Sequence, residues 1–306
     1  MTECFKIQIL TFEDQKDIFD ISKGKSIYCI DCLKPKWCPN PIVIEADPFL
    51  FVKDDVLYLF YESKQWRKPG VLKMLSTRDL VNWSEPVIVL EEKFHLSFPN
   101  VIEINGETYM IPETSADNSI RLYKAQNADL SQFRLERILL SGNDNDVAVS
   151  FCDSDLYFQD GLYYLFTSRE LKDGANRQEL YISPSLTDPF KIHPSSPIVV
   201  SKKFGRNAGS LLEIDGRLYR VSQDCTVRYG DNVNVSLISH LSATEYVEEI
   251  IKENVFPQDT EYYKEGGHQL NAVQFHGKWI VSTDAKEYHG MFMPSVLNKL
   301  NRIIVK

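Results

Sequence analysis

The sequence predicts an all-β fold: a five-bladed β-propeller, with four-stranded antiparallel blades around a central funnel. Two observations carry this. One block order, apolar strand then tight turn then aromatic strand, occurs five times in 306 residues. Helical periodicity is scarce, confined to a short piece near 12–19 and the C-terminal stretch PSVLNKLNRII from Pro294. A repeat of roughly 50 residues is the size of one four-stranded blade. The whole chain, 1–306, reads as a single propeller domain, with 1–40 as an N-terminal extension or a ring-closing segment.

The blades open near 46, 97, 151, 205 and 266. Their first hairpins are ADPFLFVKDDVLYLFYE, SFPNVIEINGETYMIPET, FCDSDLYFQDGLYYLFTS, GRNAGSLLEIDGRLYRVSQD and GGHQLNAVQFHGKWIVSTD. Their turns are Asp54-Asp55, Asn105-Gly106, Asp160-Gly161, Asp215-Gly216 and His276-Gly277. Asn-Gly and Asp-Gly supply the positive φ that a type I′ hairpin needs. The second turn residues stand at 55, 106, 161, 216 and 277, a steady spacing. A second stretch follows each hairpin, clearest in LSTRDLVNWSEPVIVL. It reads as a third strand, a turn carrying an apolar plug, and an outer strand.

Composition narrows the function. The chain is 43% hydrophobic and 12% aromatic, ample for a core, and its net charge of -9 opposes binding to nucleic acid through the overall field. No apolar run reaches membrane-spanning length, so no membrane insertion is expected. The N-terminus lacks the pattern of a signal peptide, which points to a cytoplasmic protein. Cys29 and Cys32 form a C-x-x-C that Cys38 extends, but no fourth Cys or His lies at finger-like spacing. With Cys4, Cys152 and Cys225 they read as reduced thiols. No phosphate loop, dinucleotide turn or zinc helix occurs, so neither a metal nor a cofactor is expected.

In a propeller, equivalent repeat positions become neighbours around the funnel. Eight residues before the turn anchor stand Asp47, Phe98, Asp153, Ala208 and Gln269. Seven residues after it stand Glu62, Glu113, Ser168, Gln223 and Asp284. Acids at the ends of apolar strands are poorly placed unless paired or functional. Making or breaking a glycosidic bond needs one carboxylate as base or nucleophile and one protonated group as acid. Asp47, Asp153 and Glu113 are therefore the candidate catalytic groups. Glu62, Trp66, Phe98, Asn100, Arg206, Asn207, Gln223, Tyr229, His268 and Asp284 are candidates for contacting a sugar, with His95 a weaker one. The basic residues Lys64, Arg67 and Lys68, and Arg206 separately, are either solvated charges or partners for a donor phosphate.

ADPFLF, CDSDLYFQDGLYYLF and STRDLVNW resemble the five-bladed propellers of glycoside hydrolase family 43 and its levansucrase and invertase relatives, over roughly 40 to 290. The resemblance implies that Asp47 is the general base and Asp153 the aspartate that orients the acid. It also implies a glutamate opening blade four, where this chain has Arg206, Asn207, Ala208 and Gly209. FPNVIEINGETYMIPETS and GRNAGSLLEIDGRLYRVSQD look closer to the propeller found beside bacterial formyltransferase-like domains and to the N-terminal domain of plant glucosamine inositolphosphorylceramide transferases. That implies a role in surface glycan or glycolipid biosynthesis, with a sugar or glycan as partner. Three readings stay open: glycosyl transfer, with a phosphorylated sugar donor as one option; a furanosidase- or xylosidase-type hydrolase with Glu113 as displaced acid; and a noncatalytic glycan-binding module.

Overall fold

A computed structural model of the protein describes residues 2–32, 41–142 and 148–289; Cys38 and the C-terminal stretch from Pro294 lie outside the described residues. Helix among them amounts to three short 3-10 turns, one of which, Gln15–Asp17, falls in the 12–19 piece. The other regular structure is sheet, antiparallel but for one pairing among the described residues.

The hairpin turns behave as their chemistry requires. Both residues have positive φ in all five: Asp54 and Asp55 at 50° and 59°, Asn105 and Gly106 at 52° and 80°, and likewise through His276 and Gly277 at 48° and 75°. A β-carbon at Gly106 or Gly161 would meet nothing within 4 Å. Glycine is chosen there for φ, not for space.

Strands pair in chain order. Ile42–Lys53, Val56–Gln65, Val71–Thr77 and Val87–Leu90 form one antiparallel group, and Ser97–Ile104 through Phe133–Ser141 the next. Ala148–Gln159, Leu162–Leu171 and Asn176–Ser183 lead the third, in which Lys191–Ile192 and Val199–Ser201 both pair with Asn176–Ser183. Arg217–Asp224, Asn232–Leu241 and Tyr246–Lys252 lead the fourth, whose first strand is broken into Arg206–Asn207 and Leu212–Ile214. The last group is completed by the N-terminus. Thr2–Phe12 runs antiparallel to Lys278–His289 along its whole length and carries Lys25–Ile30 on its other edge. A single parallel pairing, Phe5 with Ile44, joins this group to the first.

Apolar clusters fill the spaces between successive groups. Phe49, Phe60 and Met74 meet Phe98, Met110 and Tyr123. Ile111 and Leu122 meet Phe151 and Leu165, and Phe166 and Leu180 meet Ile238 and Leu241. Val221 and Val233 meet Leu270 and Val281, and Ile280, Ile7 and Ile9 pack back on Leu57, Leu59 and Leu75 of the first group. The DLVNW segment is part of this packing: Asp79 accepts the N–H groups of Val81 and Asn82, and Trp83 stacks on Tyr28 at 4.7 Å.

Candidate functional site

The first strands of three groups share a kink. Their pairing slips between Ala46 and Phe49, Ser97 and Asn100, and Cys152 and Asp155. At the slip Asp47, Phe98 and Asp153 take φ of 51°, 48° and 46°. The left-handed region costs an L-residue roughly 1–2 kcal/mol. Here it turns each N–H toward a neighbouring carboxylate. Phe98 N–H donates to Asp47 Oδ2 at 3.0 Å, Asp47 N–H to Asp284 Oδ2 at 3.2 Å, and Asp153 N–H to Glu113 Oε2 at 3.3 Å. These bulges link adjacent groups of strands through the same residues that line the ring.

On one side Asp153, Glu113 and Arg206 come together. Arg206 Nε lies 2.6 Å from Asp153 Oδ2, and another guanidinium nitrogen lies 3.4 Å from Glu113 Oε2. Gln223 Nε2 reaches Asp153 Oδ2 at 3.4 Å. Two largely buried acids thus share one guanidinium, and their surroundings push their pKa values apart. Burial, with Glu113 nearby, pushes Asp153 well above the usual carboxylate range against the pull of Arg206. Glu113 goes the other way: burial opposes ionisation, but Arg206 and hydrogen bonds from Asp153 and Ser115 outweigh it.

Opposite them His268 bridges two carboxylates. Its Nδ1 lies 2.7 Å from Asp284 Oδ2 and its Nε2 lies 3.4 Å from Asp47 Oδ1. Burial opposes the imidazolium, but Asp284 and Asp47 raise its pKa above the ordinary value. Asp47 is pushed up to about 6 by burial, which the charge of His268 only partly offsets. A carboxylate with that pKa is suited to act as a base near neutral pH. Asp47, His268 and Asp284 bring ligand atoms within 4.8 Å of one another. Two carboxylates and one imidazole are a sparse set for calcium, which takes six to eight oxygens.

Glu62 completes the acids of the ring. Burial and Asp47 push it well above its ordinary value. His95 Nε2 stands 3.4 Å from Glu62 Oε1, while His95 Nδ1 accepts the Gly70 N–H at 2.8 Å. That bond places the ring proton on Nε2, facing Glu62. Tyr229, 43% exposed, lies beside both halves, with its ring 5.2 Å from the Arg206 guanidinium and 5.2 Å from the His268 ring.

The other sequence candidates fall elsewhere or are already engaged. Phe98 is fully buried against Phe49, so only its backbone reaches the ring. Asn207 donates its amide to the Asp153 carbonyl at 2.8 Å. Asn100 donates to Asp155 at 2.5 Å, and Asp155 accepts the Leu211 N–H at 2.7 Å, which ties three groups of strands together. Trp66 packs beside Cys4, Cys32 and Val43 under the Arg67 guanidinium. Two buried charged groups beside the candidate residues were not singled out in the sequence. Asp155 is pushed up to about 6 by burial and occupies a repeat-equivalent position two residues beyond Asp153. Lys286 is buried two residues beyond Asp284, bonded to the Tyr229 carbonyl and 2.9 Å from Glu3. Strand alternation from Asp284 was the available signal for Lys286.

Fold and site together define an all-β propeller-type protein with a buried ring of acids compensated by few cations. Solved structures of low sequence identity share the fold. An α-L-arabinofuranosidase from Clostridium thermocellum superimposes with a TM-score of 0.57 at 15% identity, covering 77% of this chain and 80% of that one. A β-fructofuranosidase from Bombyx mori gives 0.55 at 16% identity over 77% and 54%. Residues 26–286 match the family described as glucosamine inositolphosphorylceramide transferase 1, N-terminal, and the chain belongs to that family. Glucosamine inositolphosphorylceramide transferase 1 of Arabidopsis thaliana is 34% identical over 253 residues, covering 80% of this chain and 31% of the relative. The protein of the same name from Oryza sativa subsp. japonica is 32% identical over 273 residues, covering 83% and 35%. The chain thus spans about a third of the length of these relatives.

Proposed function

We propose that the chain is a five-bladed propeller whose acidic ring binds a sugar, an amino sugar best, for glycosyl transfer in glycan or glycolipid assembly. Five inter-sheet cores, the last joining the final group of strands back to the first, support the blade count. The observation that carries the functional reading is the density of carboxyl groups in the ring. Asp47, Glu62, Glu113, Asp153 and Asp284 face Arg206, His268 and Lys286, and Arg206 is already committed to Asp153 and Glu113. Carboxyl groups that hydrogen-bond hydroxyls and amines, with the one guanidinium already engaged, suit a neutral or amine-bearing sugar better than a phosphate. The relatives' name joins glucosamine, which carries an amine, to an inositol-containing lipid. The phosphates of an activated donor are better met outside the ring, where Arg67 and Lys68 are exposed.

In this mechanism Asp47 accepts the proton of the attacking hydroxyl, His268 and Asp284 hold Asp47 in place, and Asp153 and Gln223 orient sugar hydroxyls. A second reading, hydrolysis, is favoured by the raised pKa of Asp153 beside Arg206. Glu113, the sequence-based choice of acid, is shifted the other way by Arg206, so Asp153 suits the role of acid in a hydrolase better. Incubation with radiolabelled nucleotide sugars and lipid or inositol acceptors separates the readings. Transfer of label to acceptor, lost in Asp47→Asn, supports the transferase. Release of free sugar, lost in Asp153→Asn, supports hydrolysis. Binding without turnover leaves a glycan-binding module.

A further inference from the structure

We infer that Cys4, Cys32 and His289, completed by Glu287, form a zinc site that clamps the first strand to the last. The register of the closing strands builds it. Thr2 pairs with His289 and Cys4 with Glu287. Cross-strand partners share a face, as do residues two apart, so Cys4, Glu287 and His289 project to the same side. Cys32 arrives from the segment that leaves Lys25–Ile30. The ligand atoms of Cys4, Cys32 and His289 all lie within 4.8 Å of one another. Glu287 Oε1 sits between two of them, 3.1 Å from Cys32 Sγ and 2.6 Å from His289 Nε2, while its other oxygen lies 3.5 Å from Lys6.

The donor set selects the ion. Two sulfurs, one imidazole and one carboxylate exclude the hard cations, which need oxygen, and suit tetrahedral zinc. Across a tetrahedral zinc, bond lengths of about 2.3 Å put two sulfurs a little under 4 Å apart, a spacing compatible with ligand atoms that all lie within 4.8 Å of one another. Cys4 and Cys32 are 4% and 2% exposed, and Val43, Ile44 and Trp66 wall the cluster with apolar surface. The C-x-x-C motif is not the chelate. Cys29 is exposed, and Cys32 turns instead to residues distant in sequence. The site would tie together three segments, one of which carries Asp284 and Lys286 into the ring.

The test is the metal content of the chain purified without chelator or metal-affinity tag, followed by cobalt titration of the chelator-stripped protein. The expected results are stoichiometric zinc and a saturable thiolate-to-cobalt charge-transfer band. Cys32→Ser and His289→Ala abolish the band, Glu287→Gln weakens binding by about 10–100-fold, and Cys29→Ser changes nothing. Should Cys32→Ser fail to fold, the wild-type cobalt spectrum still decides. Three results would overturn the inference: no metal and no band with both thiols free, a Cys4–Cys32 disulfide detected as the loss of two hydrogens, or a band that survives in Cys4→Ser and Cys32→Ser.

Discussion

Asp47→Asn should stabilise the protein near neutral pH while abolishing the glycosyl transfer proposed for it. The amide oxygen can still accept the Phe98 N–H that Asp47 Oδ2 accepts at 3.0 Å, so the kink and the link between groups of strands survive. What changes is charge. Burial raises Asp47 from 3.8 to about 6. Between those values the folded chain binds a proton the unfolded chain has lost, so wild-type stability falls as pH rises through that window. At about 1.36 kcal/mol per pH unit the cost above pH 6 is about 3 kcal/mol. His268 loses one of its two carboxylates in the variant but keeps Asp284 at 2.7 Å, which offsets part of the gain. The net expectation is about 1–2 kcal/mol of added stability at pH 7.5, vanishing near pH 4. Urea melts of both proteins across pH 4 to 8 measure this directly. A variant less stable than wild type at pH 7.5, or a difference independent of pH, would refute the assignment of Asp47 as a strained, functional acid.

Arg206→Met leaves Asp153 and Glu113 buried without their cation and should cost about 3–5 kcal/mol. In wild type the depressed Glu113 adds stability above its ordinary pKa, lost as pH falls through the folded value; without Arg206 burial prevails, so the deficit should widen from pH 4 to 7 in urea melts. Asn100→Ala removes a donor from buried Asp155 and should cost about 1–3 kcal/mol with sugar affinity unchanged, as denaturation and calorimetry on one preparation would show. Tyr229→Ala, at a half-exposed position, should weaken sugar binding about tenfold, or ~1.4 kcal/mol, with the melting temperature nearly unmoved.

What the sequence discloses is what repeats or acts locally. Asn105-Gly106 and Asp160-Gly161 announce their hairpins because positive φ is a property of those residue types. The two rings of acids follow because equivalent repeat positions become spatial neighbours. The kink at Phe98 is invisible, since nothing local recommends a left-handed φ for phenylalanine; hydrogen bonding from the neighbouring group of strands imposes it. The commitments of Arg206, Asn100 and Asn207 are equally hidden, because their partners Asp153, Asp155 and the Asp153 carbonyl lie some fifty residues away. Trp66 was misleading for the opposite reason: it is near Glu62 in sequence, yet its ring lies beside Cys4 and Cys32. The role of Thr2–Phe12 depended on the most distant pairing among the described residues, Thr2 with His289.

The most direct test of the central claim is a calorimetric titration of the chain at pH 7 with glucosamine, glucose, inositol and their phosphates, in wild type and Asp47→Asn. An acidic sugar-binding ring predicts that glucosamine or a glucosamine-bearing ligand binds best, that each phosphate binds worse than its parent sugar, and that Asp47→Asn weakens the best ligand at least about tenfold. Tightest binding by the phosphates, or equal binding by Asp47→Asn, would contradict it.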